Sequence, residues 1–139
     1  MTWLVERLAE RRRYLDHLRA LRPRVTGPAD LELDLSLHND VLYSLLMVCQ
    51  LVIDVAGELS AARGESFEDY TQAIQNLSRD GRFPPDLVDE LALLPGFRNV
   101  LVHEYVRLDL EPVVEAMDRL EPVERFVRQV AEELSRSRA

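Results

Sequence analysis

The stretch from Val41 to Ile53 is almost wholly apolar and lies between two aspartates, Asp40 and Asp54. A helix crossing a bilayer needs roughly 20 such residues, so this run is too short to span a membrane and must be covered by the rest of the chain. Leu35, Leu42, Leu45, Leu46, Cys49, Val52, Ile53, Ala56 and Leu59 recur at helical spacing around it. They predict one long helix from Asp30 to about Arg63 with Gly64 as its stop. A buried stripe of that length calls for several partner helices.

The remaining pattern supplies them. Leu4, Leu8, Leu15, Leu18 and Leu21 mark an amphipathic helix from Thr2 to about Leu21, with arginines on its polar face. Arg22-Pro23 and Gly27-Pro28 then make a connector. Leu31, Leu33, Leu35 and Leu37 alternate as a strand would, but no second strand-like run exists to pair with them, so a helix or irregular lead-in is expected. Ser66-Phe67-Glu68-Asp69 matches a capping pattern and predicts a helix to about Asp80. Gly81 and Pro84-Pro85 break the chain, Asp86 to Leu94 forms a short helix, and Pro95-Gly96 forces a kink or a restart. A last helix is expected from about Glu111 to Ser135, kinked by Pro122. The expectation is an all-α, up-and-down bundle of about five or six helices. It forms a single domain over residues 1–139, with a basic first helix in 1–22 and the rest of the bundle in 30–139.

Composition narrows the setting. At 139 residues and 47% hydrophobic, one domain with a sizeable core is expected. The N-terminus carries no signal-peptide pattern, and a soluble, cytoplasmic protein without membrane contact is predicted. The lone Cys49 makes no internal disulfide and reads as a buried hydrophobe. His17, His38 and His103 are scattered, with no paired ligand spacing, so neither a metal nor another cofactor is expected. The net charge of −8 argues against a generic nucleic-acid coat, yet residues 1–24 hold seven arginines against Glu6, Glu10 and Asp16. That local +4 makes the first helix the one basic stripe. All 17 basic residues are arginine, a bias with no functional reading here.

Chemistry concentrates in Arg98-Asn99-Val100-Leu101-Val102-His103-Glu104-Tyr105. Arginine offers a permanently charged fork for phosphate, histidine moves protons near neutral pH, and tyrosine adds a hydroxyl. At 100° per residue Phe97, Val100, Leu101 and Leu108 form one apolar face, while Val102 and Val106 form a second. Arg98 and Tyr105 flank the valine stripe on one side, Asn99 and His103 on the other. The first face is expected to pack into the bundle and the second to meet a two-fold-related copy, giving a homodimer with both rims around one cleft. Glu104 falls on the bundle-facing side, where it needs a cationic partner, the surface or neutralisation.

The octet, the acidic Asp54 in the long helix, Pro84-Pro85 and the Gly-Phe-Arg-Asn lead-in at residues 96–99 resemble the HEPN superfamily, most closely its HepT-like toxins. That resemblance covers about Asp40 to Leu134. It implies a dimerising helical bundle that cuts RNA without metal and is encoded beside a minimal nucleotidyltransferase antitoxin. It further implies that the antitoxin adenylylates the tyrosine of the motif, Tyr105 here, placing bulk and negative charge where RNA phosphate binds.

RNA carries its own nucleophile, the 2′-hydroxyl. Arg98 and His103 are therefore the expected catalytic pair: Arg98 holds the scissile phosphate and His103 is general acid or base. Asn99, Tyr105 and Arg107 are expected to support RNA binding. Asp54 either orients His103, pairs with an arginine, or is a structural carboxylate. Tyr14, Tyr43 and Tyr70 read as packing residues. Two functional classes remain open, a ribonuclease toxin and a noncatalytic module that binds RNA or nucleotide or docks a nucleotidyltransferase.

Overall fold

The computed structural model describes residues 2–103 and 108–138. Among them the elements are α1 (Thr2–Leu21), a 3₁₀ turn (Arg22–Arg24), α2 (Pro28–Leu33), α3 (Leu35–Ala62), α4 (Tyr70–Gln75) continued by a second 3₁₀ turn (Asn76–Arg79), α5 (Pro85–Leu91), α6 (Leu94–His103), α7 (Leu110–Met117) and α8 (Glu121–Arg138). No strand occurs among the described residues.

The centre of the bundle is α3, which packs against α1, α2, α4, α6, α7 and α8. Its apolar run explains this. Val41, Leu51, Val52, Ile53, Val55 and Ala56 are all fully buried, and each such aliphatic side chain contributes about 1.5–3 kcal/mol on leaving water. By length and composition α3 as a whole could cross a membrane, but here its apolar side chains form the protein core. The leucines of α1 lie against it as their spacing predicts, with Leu4, Leu8, Leu15, Leu18 and Leu21 buried. On the far side Phe126 of α8 meets Phe83 at 5.8 Å between ring centroids, closing the core beside Val123, Val127 and Val130.

Four boundaries differ from the sequence expectation. The helix expected from Asp30 to Arg63 is two helices, α2 and α3. Asp34 leaves helical geometry and its carboxylate accepts from the Leu37 amide at 3.1 Å. A short acidic side chain gains more as a cap than inside a helix. The alternating leucines divide accordingly, Leu31 and Leu37 inward, Leu33 and Leu35 outward at 86% and 69% exposure.

Secondly, Asp69 rather than Ser66 caps the following helix. Its carboxylate accepts from the Gln72 amide at 2.8 Å, while the Gln72 side chain accepts from the Glu68 amide. Ser66 is drawn elsewhere, its carbonyl accepting from buried Asn76. That helix lasts only to Gln75 before tightening into the 3₁₀ turn. Thirdly, the short helix expected to reach Leu94 ends at Leu91; the restart expected at Pro95-Gly96 does occur, with α6 starting at Leu94 and the proline in its first turn.

Lastly, the expected C-terminal helix is two, α7 and α8. Pro122 does not kink a helix but lies in the first turn of α8, where its missing N–H has no partner to lose. The long helix does end as expected: Gly64 adopts a left-handed φ of +69°, which suits a residue without Cβ.

Candidate active site

The motif helix α6 lies on α3. Leu101 is buried, Phe97 and Val100 are half-buried, and Asn99, Val102 and His103 are exposed. One helix thus divides its residues as their spacing predicts. Around the axis Val102 falls between Arg98 on one side and Asn99 and His103 on the other, so an apolar seam is rimmed by a cation, an amide and an imidazole.

Arg98 is the best defined of these groups. Its guanidinium lies 5.8 Å from the centre of the Tyr70 ring, which the Asp69 cap holds at the start of α4. Its charge also acts on the Cys49 thiol of α3, favouring the thiolate. Burial dominates there, however, and pushes that thiol up to about 12. The Arg98 Nε is buried and has no hydrogen-bond partner among the described residues. A buried donor left unpaired costs about 1–3 kcal/mol. Among the described residues no carboxylate pairs with this guanidinium either, so its charge is left for another anion.

Asp54 is engaged by α1. Its carboxylate accepts from Arg7 Nη1 at 3.0 Å and from Gln50 Nε2 at 2.8 Å, and Arg11 Nη1 stands 3.4 Å away. Among the described residues its partners are these, and His103 is not one of them. Arg7 in turn stacks over the ring of Trp3, 4.5 Å from its centre. Of the roles expected for Asp54, pairing with arginine is the one realised; which arginines it meets, and the Tyr70 contact, do not follow from sequence, because helical spacing orders residues within a helix and is silent on which helices meet.

The remaining histidines are apart from the site. His17 Nε2 and Asp40 are 2.8 Å apart on the surface, and His38 is half-buried early in α3. No group of three His, Cys, Asp or Glu side chains converges among the described residues. An apolar groove of about 630 Å³, lined by Leu45, Val48, Leu93, Phe97, Ala116 and Leu120, opens on the Phe97 side of α6, away from the Asn99–His103 edge. Glu104, Tyr105, Val106 and Arg107 lie outside the described residues, so the expectations placed on them have no structural counterpart here.

Comparison with known proteins gives a concordant result. A family model described as ribonuclease HepT-like matches residues 12–130. The chain is 27% identical over 96 residues to the mRNA nuclease HepT of Shewanella oneidensis, covering 68% of this chain and 72% of that one. It is 26% identical over 133 residues to a putative RNase of Archaeoglobus fulgidus, covering 94% and 96%. In fold it matches the tri-AMPylated Shewanella oneidensis HEPN toxin in complex with its MNT antitoxin, at a TM-score of 0.79 and 21% identity over 93% of this chain and 96% of that one.

Proposed function

This chain belongs to the ribonuclease HepT-like family, and on that premise we propose that it is an RNA endonuclease toxin that cuts by attack of the 2′-hydroxyl and needs no metal. The observation that carries the reading is Arg98: a half-buried arginine braced by Tyr70, with a donor that no described residue accepts from, in the same helix as an exposed His103. Phosphate is the acceptor that suits such a fork.

In the proposed reaction Arg98 holds the scissile phosphate and offsets the charge that grows on its oxygens. His103 takes the 2′-hydroxyl proton or returns one to the departing 5′-oxygen. A single imidazole cannot do both at once, so a second His103 from a two-fold-related copy completes the pair. The exposed Val102 beside it is the surface on which two copies meet. Asn99 orients phosphate or imidazole, and Tyr105 and Arg107 support the RNA. The natural partner is a minimal nucleotidyltransferase antitoxin, which silences the toxin by adenylylating Tyr105, as the AMPylated state of the Shewanella toxin suggests. The site of action is the cytoplasm.

The test uses protein made without antitoxin, incubated with end-labelled RNA in excess EDTA beside His103→Ala. Cleavage by the parent alone, leaving 2′,3′-cyclic phosphate ends, is expected. Equal cleavage by both proteins, or none by the parent, rejects the proposal.

A further inference from the structure

The arginines of the N-terminal region are unevenly neutralised. Arg19 pairs with Glu124, Arg22 with Asp118 at 2.7 Å, and Arg24 reaches Asp34 at 4.0 Å. Nearer the start of α1, Arg7 and Arg11 share the single carboxylate of Asp54. Arg12 and Arg13 are exposed and make no ion pair among the described residues. Exposed Glu6, Glu10 and Asp16 flank this stretch and with Asp54 balance its four arginines, so it is neutral in a chain whose net charge is −8.

Trp3, Arg7 and Arg11 succeed one another at four-residue steps, so they form one stripe along α1, and Tyr14 continues it. The order is aromatic, basic, basic, aromatic over about 16 Å. Trp3 is 47% exposed although it is a large apolar ring. At the other end Tyr14 meets exposed Tyr43 edge-on, 5.8 Å between centroids. Arg11 Nη1 is buried, stands 3.4 Å from Asp54 and makes no hydrogen bond among the described residues, so its hold on Asp54 is looser than that of Arg7.

We propose that this stripe is a docking strip for single-stranded RNA flanking the cut. Trp3 stacks an unpaired base on its open face, and Arg7 and Arg11 exchange part of their hold on Asp54 for a phosphate. The ribonuclease reading supplies the identity of the ligand; the strip itself rests on α1. Its placement suits the role. Gln50, hydrogen-bonded to Asp54, is the neighbour in sequence of Cys49, whose thiol feels Arg98. α3 packs against both α1 and α6, so one helix backs the strip and the motif. The exposed large side chains along the strip are Trp3 and Tyr43, flat rings suited to bases, and Arg7 and Arg11 against the one Asp54 carboxylate leave the strip a single positive charge in excess to draw a polyanion.

Trp3 is the only tryptophan in the chain, so its emission reports on the strip directly. Full-length His103→Ala, made without antitoxin, is titrated with a short mixed-sequence single-stranded oligoribonucleotide. Saturable quenching is expected. Arg11→Gln should weaken binding about tenfold, the loss of one charge-assisted hydrogen bond, and lower the salt dependence by about 0.7 in log–log slope, the value for one phosphate on a single strand. Asp54→Asn removes the competing carboxylate and should tighten binding. Absence of quenching, or an Arg11→Gln titration identical to its parent, overturns the strip. So does Trp3 emission that shifts with protein concentration in the absence of RNA, which would assign the stripe to contact between copies.

Cleavage assays separate this from the reading beneath it. A parent that cuts RNA, with Trp3→Ala and Arg11→Gln keeping the parental KM, removes the strip and leaves the ribonuclease. A parent that cuts nothing, while Trp3 is quenched saturably, removes the ribonuclease and leaves an RNA-binding strip.

Discussion

At Arg98 a permanent charge lies over an aromatic ring, 5.8 Å from the centre of Tyr70. That neighbour braces the guanidinium without neutralising it, which is what a phosphate-binding group requires. Arg98→Lys keeps the charge but loses the planar fork. On the proposed mechanism, cleavage should fall about 100-fold, with helical content unchanged by circular dichroism. Cys49 gives an independent check of the packing beneath this site. Its thiol is pushed up to about 12 by burial, so at mildly alkaline pH almost none is thiolate, the reactive form. Native protein should therefore resist iodoacetamide and denatured protein should be alkylated fully, as read by intact mass. The candidacy of Arg98 and His103 is legible in sequence, because the octet joins their chemistry at fixed spacing. The role of Tyr70 is not, because its contact with Arg98 is made between separate helices and looks in sequence like ordinary packing.

Aspartates set the starts of three elements. Asp34, Asp69 and Asp109 each accept from a free amide in the first turn of the helix that follows. Replacing Asp69 by alanine should lower stability by about 1 kcal/mol and release Tyr70 from Arg98; urea denaturation measures the first effect. Helix existence follows from periodicity, and α1 ends at Leu21 as its leucines predict. Helix boundaries are less legible, because a serine, an aspartate or a proline offers a break that packing either takes or leaves. Asp34 takes it, whereas Ser66 leaves the cap to Asp69. Arg22 and Asp118 join the end of α1 to the end of α7, and the hydrogen bond from Arg22 holds the Asp118 carboxyl below its ordinary range. A depressed carboxyl stabilises the fold above its unfolded pKa of about 3.9, and that contribution is lost as pH falls through the lower, folded value. Asp118→Asn should thus be less stable than the parent at neutral pH, by no more than about 0.5 kcal/mol for so exposed a pair. The difference should vanish in acid denaturation profiles below the Asp118 transition.

Over the whole molecule, α3 carries both candidate surfaces, Cys49 beneath the motif helix and Asp54 beneath the arginines of α1. A shared mechanism across two copies makes a specific demand on activity. Mixed dimers with one His103→Ala subunit should retain far less than half the parental rate; half activity per intact subunit would remove proton transfer across the interface. The Asp54 cluster joins residues 47 positions apart in sequence, so neither composition nor spacing brings them together.

The central position of α3 also has a consequence during synthesis. A 28-residue helix apolar enough for a bilayer leaves the ribosome well before α6, α7 and α8 exist to cover it. Ahead of it come α1 and α2, whose buried leucines cover part of its surface. Only the remainder is left bare for the duration of translation, and there a growing chain is most open to chaperones or to mis-sorting toward a membrane.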